Sequence, residues 1–319
     1  MSLSTGGDLT DLRYLRSADL EPLLQEETGL WRQRFDWDFQ SSAGLVRRFV
    51  DQRALDGFAL LERGRPVGYS YTVQDEHKGL LGDLYVSRAH WSLDREDRLL
   101  GATVEALMRT PWVRRIETQL MTLGPVHGRA LPAGRCLRLF ERNFMQYDLA
   151  LPPLRERPAS LTRVEVEPWA ERHQEPAARL IPAAYAGHID SQINDQYRHP
   201  EGARRFLHNI VQYPGCGSFF HPGSAMAMDR ATGEACALAL TSLVAEDIGH
   251  ITQLCVAPGR RGEGIGYELL RRALEAFRGL GCRKVSLTVT AANRGAVALY
   301  ERVGFRTVHR FCAFVWEGF

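Results

Sequence analysis

Gly262, Gly264 and Gly266 stand at every second position directly after Arg260 and Arg261. Glycines so spaced let the backbone turn tightly and let several N–H groups converge with no Cβ in the way. The two guanidinium groups add positive charge suited to phosphate oxygens. Together these residue types point to a cradle for a pyrophosphate. It is not a P-loop, because no Lys-Ser/Thr pair follows the glycines. It is not the dinucleotide fingerprint either, because the glycines run G-x-G-x-G.

Such a cradle needs a strand to bring the chain in and a helix whose positive end faces the anion. Residues 248–256 supply the first: they are mostly apolar or β-branched and are punctuated by Pro258-Gly259. From Tyr267 the period changes. Leu269, Leu270, Ala273, Leu274 and Phe277 fall at helical spacing, Arg271, Arg272 and Glu275 take the other face, and Gly281 is placed to end the helix. A second strand follows at 284–289.

The loop resembles the R-x-x-G-x-G signature of the GCN5-related N-acetyltransferase (GNAT) superfamily, here Arg261, Gly264 and Gly266. Downstream, the run from Asn293 through Ala296, Leu299, Tyr300 and Gly304 to Phe305 is similar to that family's N-x-x-A-x-x-L-Y-x-x-x-G-F motif. The resemblance implies acetyl-CoA as donor and a mixed, mostly antiparallel sheet flanked by helices, with two neighbouring strands splayed to admit pantetheine. It implies backbone contacts to pantetheine and thioester from Leu254, Cys255 and Val256. It places the pyrophosphate on Arg260, Arg261, Gly262, Glu263, Gly264, Ile265 and Gly266. It gives Asn293 a hydrogen bond to the cosubstrate and Tyr300 the role of general acid toward the CoA sulfur; the rival for Tyr300 is a packed helix tyrosine.

Direct transfer to an amine also needs a base. Several family members use a glutamate on the central strand, and His250 occupies that position here. An imidazole is suited to taking a proton near neutral pH, and strand alternation puts Thr252, Leu254 and Val256 on its face. A half-buried structural histidine is the equal alternative, with Glu246 and Asp247 as substitutes.

The 319 residues are 45% hydrophobic and 24% charged, with a formal net charge of +2, ordinary for a soluble globular protein. That balance, with no basic-aromatic stripe, argues against nucleic-acid or membrane-surface binding. No apolar run approaches the roughly 18 residues of a membrane span. The six cysteines and ten histidines show no metal-ligand spacing, so no metal is expected. Buried free thiols fit a reducing cytoplasm.

The two halves of the chain match. Leu84-Tyr85-Val86 stands against Leu254-Cys255-Val256, and Leu99-Leu100 against Leu269-Leu270, both 170 residues apart. Leu139-Phe140-Glu141-Arg142, read within a short helix over 137–142 that precedes a strand near 146–151, stands against Leu299-Tyr300-Glu301-Arg302 at 160. This predicts a tandem repeat of one α/β (α+β) domain: a degenerate GNAT-like copy over 8–152, a Pro-rich linker over 153–160, and a catalytic copy over 161–319. In the first copy Trp91, Asp94 and Glu96 replace Arg261, Gly264 and Gly266, and Leu80 replaces His250. Side chains and carboxylates there leave no cradle. A strand is expected at 11–16, and 187–198 reads as a substrate loop, with a solvated connector as the equal alternative.

The chain thus reads as a cytoplasmic N-acetyltransferase acting on a primary amine of a small molecule or peptide, possibly as a homodimer. A non-catalytic acyl-CoA sensor or scaffold, or a mycothiol-synthase-like tandem enzyme, is the alternative.

Overall fold

The computed structural model describes residues 8–156, 162–213, 215 and 217–319. The second half of the linker (157–160) and Cys216 lie outside them. In chain order the first elements are β1 (Asp8–Asp11), α1 (Ser17–Phe35), α2 (Gln40–Asp51), β2 (Asp56–Glu62), β3 (Arg65–Asp75), β4 (Lys78–Val86), α3 (Leu93–Met108), β5 (Arg115–Gln119) and β6 (Leu137–Asp148). Then come β7 (Val164–Pro168), α4 (Gln174–Tyr185), α5 (Asp190–Ile193), α6 (Pro200–Gln212), β8 (Ser218–Phe219), β9 (Ala225–Asp229) and β10 (Ala235–Ala245). The chain closes with β11 (Ile248–Val256), α7 (Ile265–Leu280), β12 (Lys284–Thr290), α8 (Arg294–Val303) and β13 (Arg306–Glu317).

The repeat is visible element by element. Adding 170 to β3 and β4 (65–75 and 78–86) gives β10 and β11 (235–245 and 248–256). The irregularities correspond too: β4 carries a bulge at Gly82 and β11 one at Thr252. The fold is mixed α/β, as expected.

The chain forms two compact units, 1–141 with 310–319, and Arg142–His309. This division differs from the repeat boundary in the linker, for a hydrogen-bonding reason. The end of β6 pairs antiparallel with β12 from Arg142↔Thr290 to Asp148↔Lys284, inside the second unit. The end of β13 pairs with β5 from Ala313↔Gln119 to Glu317↔Arg115, inside the first. Each repeat's last strand therefore completes the other repeat's unit.

In the first unit the strand order is β1-β2-β3-β4-β5 and then the end of β13. Arg63 and Gly64, at φ 51° and 76°, make the turn of the β2–β3 hairpin. The expected strand at 11–16 is instead β1 followed by a 3-10 turn, Leu12–Tyr14, which Asp11 caps by accepting the Arg13 N–H at 2.8 Å. The helix expected over 137–142 is strand. A strand beginning only near Gln146 would leave the backbone of residues 142–145 without the partners that residues 287–290 offer. The first repeat consequently has no counterpart of α8, and the match of Phe140 to Tyr300 does not hold.

Where the first copy lacks a cradle, a buried carboxylate takes up donors from the loops around it. Glu96, at the start of α3, accepts from Trp91 Nε1 at 2.8 Å, Gly124 N at 3.1 Å and Arg129 Nη1 at 3.0 Å. Leu84, Val86, Leu99 and Leu120 share one apolar cluster with Leu123, Val126 and Leu131 packed against it.

Glu27 and Asp83, buried between α1 and β4, hydrogen-bond one another, and Glu27 also accepts the Tyr69 O–H at 2.6 Å. Burial, and for Glu27 also the neighbouring carboxylate, raises both: Asp83 to about 6 and Glu27 well above its ordinary 4.5. A raised folded value means stability that is complete below the unfolded value and lost as pH rises through the folded one. Glu27→Gln keeps an acceptor for the Tyr69 O–H and a donor toward Asp83, gives up the longer bond from Trp31 Nε1, and removes the second ionisation. It is expected to raise the melting temperature at about pH 8 by several degrees and to flatten its decline above about pH 5. A wild-type melting temperature that climbs over that range would contradict the pairing.

The second unit runs from the end of β6 through β12-β11-β10-β9-β7, with β8 paired to β10. α7 buries Leu269, Leu270, Ala273, Leu274 and Phe277 as the periodicity predicts, and ends at Gly281 with φ 89°. β11 and β12 are parallel, and their pairing covers only Ile248↔Lys284 to Ile251↔Leu287. Beyond that point β11 continues to Val256 and β12 to Thr290 without a shared ladder. The two strands part there, and the parting makes the site.

Candidate active site

The separation begins at a bulge. Leu240 pairs with Gln253 and Thr241 with Ile251, so Thr252 is the extra residue on β11. A bulge inverts alternation for everything beyond it. Leu254 packs with Ile251 among the α7 side chains, whereas Cys255 packs with Leu238 and Leu240 on the side of α4 and α6. Ser242 faces His250 across the ladder, so His250 shares its face with Gln253 and Cys255. The expected grouping of His250 with Leu254 and Val256 assumed unbroken alternation and is corrected here.

A cavity of about 490 Å³ opens in the gap. Leu254, Cys255 and Val256 line one side, Asn293 and Tyr300 another, and Arg260, Arg261, Gly262, Gly264, Ile265 and Gly266 the mouth. Eleven of the thirteen residues expected from the sequence are thereby brought together. Glu263 and His250 are not in the lining. Ala184 and Tyr185, which carried no signal in the sequence, are, and so is His188 from the expected substrate loop.

The mouth is made by backbone. Gly262 and Gly264 hold φ of 84° and 83°, values that cost an L side chain strain, and Gly264 caps α7. A Cβ on Gly266 would stand 3.3 Å from Val256 Cγ2. The first-turn amides of α7 are left with the helix's positive end behind them. The two arginines fix the loop. Arg261 donates to the carbonyls of Ala184 at 2.5 Å and Val256 at 3.3 Å, and Arg260 pairs with Glu263 at 2.9 Å and with Asp229. This explains Glu263: its carboxylate, held below its ordinary value by Arg260, neutralises a loop arginine.

Tyr300 is on α8, 8% exposed. Asn293 begins that helix by accepting the Ala296 N–H at 3.3 Å, and Gly304 ends it at φ 111°. Burial first, then the charge of Asp190, push the Tyr300 phenol upward, so it holds its proton throughout the ordinary pH range. Burial likewise pushes Cys255 up to about 12. Since the thiolate is the reactive form, this cysteine is inert toward an acyl group.

His250 is 5% exposed and its Nδ1 lies 2.9 Å from Ser286 Oγ. Burial lowers it to about 4. Because it is neutral when folded, stability falls as pH drops from the ordinary 6.5 toward 4, where only the unfolded chain takes up the proton. His250→Gln is expected to weaken that acid sensitivity, read as a flatter melting temperature between about pH 6 and about pH 4. An unchanged slope would show that His250 does not titrate in this way.

Beside the cavity a polar network ties α4 to the strands. Tyr197 O–H donates to Gln253 Oε1 at 3.2 Å, and Gln253 Nε2 donates to the Tyr185 hydroxyl at 3.0 Å. Tyr185 and Tyr197 stack with centroids 4.6 Å apart. The segment 187–198 is not one open loop: it holds α5 and a 3-10 turn, Asp195–Tyr197. No helical period marked these short elements, which is why the sequence read them as irregular.

Residues 183–305 match the acetyltransferase (GNAT) family. An N-alpha-acetyltransferase of Arabidopsis thaliana is 40% identical over 70 residues, 22% of this chain and 37% of that protein. A mycothiol acetyltransferase of Beutenbergia cavernae is 36% identical over 112 residues, 34% of this chain and 37% of that protein. The chain thus spans roughly a third of the length of the curated relatives it matches. A GCN5-related N-acetyltransferase of Sphaerobacter thermophilus superposes with TM-score 0.66 at 18% identity, over 97% of this chain and 95% of that one. A tandem GNAT protein from the clavulanic acid biosynthesis pathway does so with TM-score 0.57 at 15% identity, over 97% and 98%. These two likenesses bear on the fold. The family match falls on the residues that build the cavity, and the segment 183–305 is similar throughout to the acetyltransferase (GNAT) family.

Proposed function

We infer that this protein is an acetyl-CoA-dependent N-acetyltransferase that moves an acetyl group to a primary amine by direct transfer in its second unit. One observation carries the reading. The gap between β11 and β12 joins a mouth of exposed backbone amides to a protonated tyrosine within one cavity.

Direct transfer asks three things of the residues. The loop amides and the α7 terminus hold the diphosphate. Backbone of residues 254–256 lies along the pantetheine and thioester. Tyr300 O–H delivers a proton to the departing sulfur as the C–S bond breaks, which suits a phenol that stays protonated. The inert Cys255 argues for attack by the amine itself and against an acyl-enzyme.

The acceptor is a small molecule or peptide amine. Resemblance to mycothiol acetyltransferases makes amino-sugar thiols one class worth including. The deciding experiment is thiol release from acetyl-CoA over amino acids, polyamines, aminoglycosides, peptides and amino-sugar thiols. Release with at least one class supports the enzyme. Tight CoA binding with no release for any amine would instead make the protein an acyl-CoA sensor. Among the described residues no helix is long and apolar enough to cross a membrane.

A further inference from the structure

We propose that the Tyr185 hydroxyl donates a hydrogen bond to the thioester carbonyl oxygen and stabilises the oxyanion that forms there during transfer. This deepens the acetyltransfer reading and rests on it. Tyr185, the last residue of α4, lines the same cavity as Tyr300 and residues 254–256. Its oxygen accepts the Gln253 Nε2–H at 3.0 Å, and Gln253 Oε1 accepts the Tyr197 O–H at 3.2 Å. The run of donors goes from Tyr197 through Gln253 to Tyr185 and ends there. No acceptor for the Tyr185 proton lies among the described residues. A phenol held among other side chains ordinarily has an acceptor, and the ligand of this cavity supplies the one that the protein does not.

The position of the hydroxyl singles out the thioester. Gln253 directly precedes Leu254 on β11, and its side chain reaches the Cys255 sulfur as well. The Tyr185 oxygen therefore sits beside the stretch of backbone assigned to the thioester. The ring is clamped: it stacks on Tyr197 with centroids 4.6 Å apart and meets the His188 ring edge-on at 5.4 Å. Arg261 holds the Ala184 carbonyl at 2.5 Å, which ties the end of α4 to the cavity mouth. A donor fixed in advance costs no reorganisation when charge develops on its partner. Burial first, then Cys255, Tyr197, Asp190 and Tyr300, push the phenol well above its ordinary value, so it keeps its proton. The two cavity phenols divide the work: Tyr300 gives its proton up, and Tyr185 only shares one.

The step balances. The lone pair of the neutral amine attacks the thioester carbon, the C–N bond forms, and the C=O π pair moves onto oxygen. That oxyanion accepts the Tyr185 O–H, whose covalent bond stays intact. The pair then returns and the C–S bond breaks. The thiolate takes the Tyr300 proton, and the proton lost from nitrogen restores that phenol. Tyr185 is thus a catalytic residue, and Gln253 is a positioning residue.

The test pairs a spectrum with a rate. The infrared carbonyl band of acetyl-CoA, carbon-13-labelled at the thioester carbonyl and bound to the full chain, falls in frequency when that oxygen accepts a hydrogen bond. Transfer to hydroxylamine, small enough to need no fitted pocket, gives the rate. Tyr185→Phe is expected to move the bound band back toward its position in free acetyl-CoA and to lower kcat about a hundredfold. The Kd for acetyl-CoA should stay within about threefold, because the bond strengthens only as charge develops. Gln253→Glu keeps the Tyr185 hydroxyl but sets a carboxylate beside it to take its hydrogen bond, so the same two changes are expected; it decides alone should Tyr185→Phe not fold. Tyr300→Phe should leave the band at its wild-type position. A wild-type band at the free position, a band unmoved by the variants, a loss in Kd with kcat unchanged, or a wild-type protein that binds acetyl-CoA without accelerating transfer would overturn the assignment. Failure to bind acetyl-CoA at all would instead overturn the reading beneath it.

Discussion

Tyr300→Phe is expected to cut kcat for acetyl transfer by about a hundredfold or more while changing the Kd for acetyl-CoA by less than about twofold. The substitution removes one hydroxyl and leaves the ring that packs 5.8 Å from Phe305. α8 itself is set by the Asn293 cap and the Gly304 terminus, neither of which involves the hydroxyl. What disappears is the donor for the departing thiolate, an interaction made only as the C–S bond breaks, so kcat falls and binding does not. An unchanged kcat would remove Tyr300 from the mechanism. A matched rise in Kd would mean that the hydroxyl binds CoA and does no proton transfer.

Gly266→Glu transplants into the second unit the residue that the first copy carries at the matching position, Glu96. A carboxylate about 4 Å from a phosphate costs about 4 kcal/mol at an effective dielectric near 20. Allowing the side chain to turn partly into solvent, the expected loss of acetyl-CoA affinity is about a hundredfold. Gly266→Ala is the control: its Cβ meets only Val256 Cγ2 at 3.3 Å, so affinity should fall a few-fold at most. If Gly266→Glu bound acetyl-CoA as well as the wild type, with an unchanged melting temperature, the loop would not be the phosphate site.

The first copy shows why both changes matter. Its β4 and β5 also part, pairing only from Lys78↔Arg115 to Leu80↔Glu117. Yet Glu96 already accepts from the Gly124 amide and from Arg129 Nη1 there, and an apolar cluster reaches Leu123, Val126 and Leu131. The same strand geometry thus supports a ligand cavity in one repeat and packed side chains in the other. Loop chemistry decides between them.

Much of this was legible in the sequence because the signals were local. The glycine spacing, the α7 periodicity and the α8 motif each act within a turn or two of chain, and the structure brings eleven of those residues into one lining. The misses are non-local. The bulge at Thr252 depends on how β10 pairs with β11, and a one-residue register change moved His250 away from Leu254 and Val256. The first half of β6 reads as a short helix until its partner β12 is known. His188 and Asp190 lie in a segment with no period, and the residues that hold the Asp190 carboxylate, Thr290 and Arg142, are 100 and 48 residues distant. Arg260 looked like a mobile phosphate ligand, and Asp229 and Glu263 show it as a brace.

The most direct test of the central claim is a crystal structure of the full chain with CoA. The account places the diphosphate on the backbone amides between Arg261 and Gly266, with pantetheine in the gap opened at Thr252 and the sulfur within hydrogen-bond reach of the Tyr300 hydroxyl. CoA seated at the Trp91–Glu96 turn, or bound away from both turns, would contradict it.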